Sequence, residues 1–387
     1  MNEQVLSDAL LQRFAQRCGV YDQDNRFFQE DFDDLKNAGY LTLPVPKELG
    51  GAGFTLAQMC REQRRLGYHA PATALGVNMH LYWIGLAADL WRHGDRSLEW
   101  MLQEALAGEI FNAGHSERGN DLPVLLSTSK AERVAGGFRF TGHKMFGSLM
   151  PVWTRMGLHG MWADAEGGPK IVHAFMPRDS DGYRIAETWD TMGMRATRSD
   201  DVLLEGAFVP DKYIARIVPA GGADAFILGI FAWALLGFAG IYHGLARRAL
   251  DLALLGINSK TALAVSRSMA YHPEIQHMVA EMMLAYDPIG PHIERVAEEW
   301  SNGVDYGHGW PAKIVSAKYH AVEACWRIVD WAMEVSGGAG MFRKNELERL
   351  FRDARCGRFH PANTFLVHEI VGKTALGIEL GEQPRWG

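Results

Sequence analysis

From Ala225 to Tyr242 the chain runs without a charged residue, and any fold it adopts must cover that stretch. The length approaches that of a membrane span. Two features point instead to a helix buried in a bundle. Gly229, Gly237, Gly240 and a central Trp233 interrupt the run, and an amphipathic helical pattern follows directly. A lone span at mid-chain would also strand the two halves on opposite sides of a membrane. No membrane insertion is expected.

Burying such a helix takes many partners. The 387 residues, 48% of them hydrophobic and with 12 Trp and 17 Met, suffice for two or three subdomains packed into one unit. Residues 1–110 read as an N-terminal α-helical domain, with Phe14, Phe27, Phe28, Phe32 and Leu35 at helical steps. Pro44-Val45-Pro46 and Gly50-Gly51-Ala52-Gly53 break it, and Thr55 is placed to cap Leu56–Leu66. Residues 111–222 change to short alternating runs such as Phe138-Arg139-Phe140, Ile171–Phe175 and Val202-Leu203-Leu204, the pattern of a β-barrel-like middle domain. Residues 223–387 return to helix, with Ile314, Ala317, Ala321, Cys325, Ile328 and Ala332 on one stripe. The predicted fold class is α+β: helices, then strands, then a helical bundle.

Composition excludes several function classes. A net charge of -7 and no long Lys/Arg cluster give no field for a nucleic acid. Cys18, Cys60, Cys325 and Cys356 lie far apart, so neither a metal site nor a disulfide framework is predicted. A cytoplasmic location is expected, since Met1-Asn2-Glu3-Gln4 does not open a secretory signal. No Gly-x-Gly-x-x-Gly follows an early strand, so a Rossmann dinucleotide domain is not supported.

Five stretches occur in one order. They are Pro44–Gly53; His115-Ser116-Glu117-Arg118-Gly119-Asn120-Asp121; Gly142-His143-Lys144-Met145-Phe146-Gly147-Ser148; Gly193–Ser199 followed by Val209-Pro210; and Gly337-Gly338-Ala339-Gly340 followed by Arg352–Asn363. This order resembles the acyl-CoA dehydrogenase flavoproteins. The resemblance implies an N-terminal helical domain, a middle β domain and a C-terminal four-helix bundle, with FAD between the last two and a second subunit completing the adenosine side. A homodimer or homotetramer is therefore expected. By this match Ser116, Gly119, Asn120, Phe146, Gly147 and Ser148 bind the flavin ring, with Phe146 over one edge and Ser148 near N5. Gly337, Gly338 and Gly340 admit a dinucleotide backbone, and Arg267 pairs with its pyrophosphate. Hydroxyl donors at the polar flavin edge stabilise the reduced, anionic ring. Each residue also has a bland reading: Gly337–Gly340 as a helix stop, Phe146 as core, a lone Ser as structural.

The chemistry is less conventional. Dehydrogenating an acyl thioester takes a base for the α-proton. Where the family often places a glutamate, this chain has His360-Pro361-Ala362-Asn363, and near the start of the first C-terminal helix it offers only Asp224. His360 is the nearest titratable group and the candidate base, although a histidine before proline can merely end a segment. His80 and Arg195 are candidates for the substrate pocket. The leading expectation is an FAD-dependent dehydrogenase of an acyl-CoA thioester with an electron-transfer partner and an unusual base. Its rivals are a monooxygenase of the same fold, fed by a flavin reductase, in whose family branch a similar histidine occurs, and a flavin-free helical assembly protein.

Overall fold

The computed structural model describes residues 5–261, 263, 266–380 and 382. Helices α1 (Asp8–Gln23), α2 (Gln29–Asn37), α3 (Leu56–His69), α4 (Pro71–Arg92) and α5 (Glu99–Leu106) form the N-terminal layer. Thr55 starts α3 with a capping box: Gln58 N–H donates to its hydroxyl, and its own N–H donates to Gln58 Oε1 at 2.8 Å. Pro71 at the first position of α4 fits where no intrahelical N–H bond is lost.

The middle layer is one eight-stranded sheet: β1 (Phe111–Gly114), β2 (Lys130–Val134), β3 (Gly137–Lys144), β4 (Arg155–Trp162), β5 (Lys170–Pro177), β6 (Tyr183–Ala186), β7 (Asp201–Pro210) and β8 (Ile214–Pro219). Its order is β6-β7-β3-β2-β4-β5-β8, with β1 pairing parallel to β4. The three alternating segments read from the sequence lie in β3, β5 and β7.

The C-terminal layer contains α6 (Ala225–Ser259), α7 (Pro273–Tyr286), α8 (Ile289–Ser301), α9 (Trp310–Ser336), α10 (Glu346–Cys356) and α11 (Thr364–Leu376). Asp224 caps α6 by accepting from Ile227 N–H at 3.1 Å. The uncharged run is the first half of α6, whose most apolar window is 78% buried. It packs against α9 on one side and α3 and α4 on the other. Close approach to α3 requires glycine: a Cβ on Gly240 would lie 2.7 Å from Cys60 O, and one on Gly244 2.1 Å from Arg64 O. The six stripe residues of α9 are all buried, so the helical period read from sequence marks a real core face.

Candidate active site

A cavity of about 540 Å³ opens where α4, the β1 end of the sheet, α6 and the segment after α10 meet. Three of the sequence motifs form its sheet-side wall because backbone bonds lock them together. Met145 N–H donates to Ser116 O (2.9 Å), Gly147 N–H to Asp200 O (3.1 Å) and Leu149 N–H to Thr197 O (3.2 Å). Phe146 has φ 58°, in the left-handed region. The ring is 52% exposed and meets Trp189 edge-on at 6.0 Å. Below them Ser148 Oγ lies 2.7 Å from Ser199 Oγ, itself 2.7 Å from Thr197 Oγ1, which donates to Met194 O.

Behind this wall Glu117 accepts from Lys144, Ser127 and Ser129 side chains and from the Thr128 N–H. Burial opposes its charge, but the Lys144 ammonium and these donors hold its carboxyl down at about 2. It is a locked counter-ion. His115 also lines the cavity, with the Tyr82 hydroxyl 3.4 Å from its Nδ1; burial and then the charge of Lys144 push its imidazole down to about 3.

The opposite wall is helical and apolar: Ile230, Phe231, Ala234, Leu235 and Phe238 of α6, with Phe359, His360 and Leu366. The His360 ring stacks on Phe238 at 4.9 Å, and its Nε2 lies 2.8 Å from the Tyr242 hydroxyl. Burial, then the nearby Lys318, pushes His360 down to about 3, so its ring is neutral near pH 7. Lys318 is itself buried, donating to His360 O at 3.0 Å and Ala362 O at 2.9 Å, and burial lowers its ammonium to about 7.

Of the residues picked out by sequence, Ser116, Asn120, Phe146, Ser148 and His360 line this cavity. Gly119 (φ 75°) and Gly147 shape the adjoining turns without lining it. His80 does not belong to the pocket. Its Nε2 donates to Leu41 O at 3.1 Å and its Nδ1 accepts from Phe111 N–H at 3.0 Å, so both nitrogens tie α4 to the backbone. Arg195 is likewise elsewhere, its guanidinium donating to Asp22 O and Thr191 O. Arg267 is exposed and lies over the Tyr271 ring at 4.9 Å, away from the cavity. Gly337 and Gly338 sit exposed just after α9, where a Cβ would meet nothing within 4 Å, while Gly340 is buried against Met333.

Sequence reading missed Trp189, Phe238, Tyr242 and Lys318, and it named Ser199 within a motif without giving it a role. Lys318 carried a usable signal, because it falls between Ala317 and Ala321 on the apolar stripe of α9, where a charge needs a reason. The set of groups fits the isoalloxazine of a flavin: an aromatic corner formed by Phe146 and Trp189, an apolar helical wall, and hydroxyls of Ser116 and Ser148 on the sheet side.

Comparison with known proteins agrees. The sequence profile of the acyl-CoA dehydrogenase N-terminal domain matches residues 3–99, and that of the C-terminal domain residues 236–365. The putative acyl-CoA dehydrogenase YdbM of Bacillus subtilis (strain 168) is 25% identical over 93% of this chain and 93% of its own. The amino sugar nitrososynthase DnmZ of Streptomyces peucetius is 26% identical over 89% of this chain and 86% of its own. Among solved structures, KijD3 in complex with FMN and a dTDP-linked amino keto sugar superposes with TM-score 0.85 at 23% identity, covering 97% of this chain and 93% of that one. With both domain profiles matched in register with the fold described above, this chain belongs to the acyl-CoA dehydrogenase family.

Proposed function

We propose that the protein is a reduced-flavin-dependent monooxygenase of this family, supplied by a separate flavin reductase, rather than an acyl-CoA dehydrogenase. The observation that carries this reading is the helical wall. Among the described residues lining the cavity the only carboxylates are Glu117 and Asp121, both on the sheet side, and Glu117 is locked. The group where a base is expected is His360, held at about 3. So weak a base is poorly matched to a weakly acidic α-proton.

Bound reduced flavin supplies the electrons that activate dioxygen. The chain's own residues would do the rest. Phe146 and Trp189 cover the ring, Ser116 and Ser148 meet its polar edge, and the α6 wall keeps water out. FAD is the expected form. Its adenosine end would reach Gly337 and Gly338 of a second copy, in a homodimer or homotetramer; exposed Met341 and Phe342, beside those glycines, support such a contact. No described residue lining the cavity is Lys or Arg, which favours a neutral, apolar substrate over one whose phosphates enter.

The likeness to YdbM favours the second reading, dehydrogenation of an acyl-CoA. Two measurements separate them. Anaerobic titration of the flavin-loaded protein with acyl-CoA thioesters should leave the flavin absorbance unchanged. Reduced flavin with ¹⁸O₂ and neutral aromatic or amine substrates should give labelled product. Rapid bleaching by an acyl-CoA would overturn the proposal.

A further inference from the structure

The Tyr242–His360 pair determines which face of the imidazole chemistry the cavity meets. Tyr242 is fully buried on α6, and its hydroxyl has one hydrogen-bond partner among the described residues, His360 Nε2 at 2.8 Å. A phenol hydrogen in that position needs an acceptor, and the ring nitrogen is the one within reach. If Nε2 carried a hydrogen instead, the phenol hydrogen would be buried with nothing to accept it, the costlier arrangement. His360 Nδ1 has no partner among the described residues and is not among the buried unpaired atoms, while the residue lines the cavity. The neutral ring therefore has a single consistent assignment: Nε2 accepts from Tyr242, and Nδ1 carries the hydrogen on the side open to the cavity.

Two further features hold this arrangement. Gly357 lets the turn close over the phenol, since a Cβ there would lie 2.8 Å from Tyr242 Cζ. Lys318 donates to the carbonyls of His360 and Ala362, fixing the turn from the other side and placing a positive charge that discourages a second proton on the ring.

We propose that Tyr242 is a positioning residue that fixes His360 as the Nδ1–H tautomer, so that the helical end of the cavity presents a hydrogen-bond donor and takes a ligand with an acceptor oxygen. For its catalytic meaning this rests on the monooxygenase reading: a fixed donor stabilises negative charge on oxygen and cannot abstract a carbon-bound proton.

The test is ¹⁵N NMR of the full chain labelled at histidine, with no flavin added and with His360→Gln to assign the signals. The expected result is a protonated Nδ1 and an unprotonated Nε2 for His360, with the Nε2 signal moving downfield in Tyr242→Phe as the hydrogen bond it accepts is lost. A protonated Nε2 in the wild type, or an Nε2 signal unmoved in Tyr242→Phe, would overturn the proposal. Should Tyr242→Phe fail to fold, Gly357→Ala displaces the turn from the phenol and carries the same expectation. In turnover with reduced flavin, Tyr242→Phe should lower kcat about tenfold with little change in KM. The NMR result stands or falls without any oxygenase activity, so its failure is distinguishable from failure of the proposed reaction.

Discussion

The sheet wall and the helical wall of the cavity solve opposite problems. On the sheet side polar groups are numerous and committed to one another: Glu117 to Lys144 and to donors from Asn120, Ser127, Thr128 and Ser129, and Ser148 to Ser199, which in turn meets Thr197. On the helical side most of the lining is apolar, and the polar side chains are few: His360, Asn363 and the Cys356 thiol. On the reading proposed above, the first wall would hold the flavin ring, while the second faces the substrate and offers no carboxylate among the described residues. A scaffold divided in this way could keep its cofactor half while the substrate half takes up a different reaction.

If this contrast is right, breaking the sheet wall should cost stability and breaking the helical wall should cost activity. The largest effect is expected for Lys144→Met, which strands the buried Glu117 carboxylate. Thermal or denaturant unfolding should show a loss of about 3–5 kcal/mol, largely recovered in the double variant Lys144→Met/Glu117→Gln. An unchanged midpoint would mean that the pair is not buried as described.

His360→Ala should instead leave the fold within about 1–3 kcal/mol of wild type, the cost of the unpaired Tyr242 hydroxyl. It should reduce kcat/KM by about 100-fold, as loss of a fixed donor does. Equal loss in stability and none in rate would reverse the assignment of the two walls. Ser148→Ala should weaken flavin binding by about tenfold, in line with one hydrogen bond of ~1 kcal/mol, read by fluorescence titration. No change would remove Ser148 from the ring's polar edge.

At neutral pH the last variant should be silent, because its effect appears only in acid. Burial depresses His360 to about 3, against about 6.5 in an unfolded chain. Above pH 6.5 both states are neutral and the group is silent. As pH falls from 6.5 toward 3 the unfolded chain takes up a proton that the folded one does not, and stability drops. His360→Gln should flatten that fall by up to ~1.4 kcal/mol per pH unit. An unaltered slope would show that the ring is not held neutral.

Much of the architecture was readable because helical periodicity reports burial directly, as in the α9 stripe; the run Ile171–Phe175 does lie in a strand, but β5 is buried on both faces there and not on alternate residues. The sheet wall was readable for a different reason. Its residues sit in short contiguous motifs whose backbone bonds bring them together. The helical wall was mostly hidden. Phe238 and Tyr242 on α6 and Lys318 on α9 are more than seventy residues apart in sequence and meet only through packing. His80 misled because a histidine bonded on both sides to backbone has the same sequence signature as one facing a ligand.

Helix α6 serves two masters. Gly237, Gly240 and Gly244 are pressed against the N-terminal helices, a Cβ on Gly237 falling 2.2 Å from Asn78 Oδ1, while Ile230, Phe231, Ala234, Leu235 and Phe238 look into the cavity. Neighbouring positions on one helix therefore have opposite tolerance to change. Drift at the glycines would be purged as misfolding, whereas drift one or two residues away would alter what fits inside. A helix built this way lets a lineage explore new substrates through small side-chain steps without first having to solve the folding problem again.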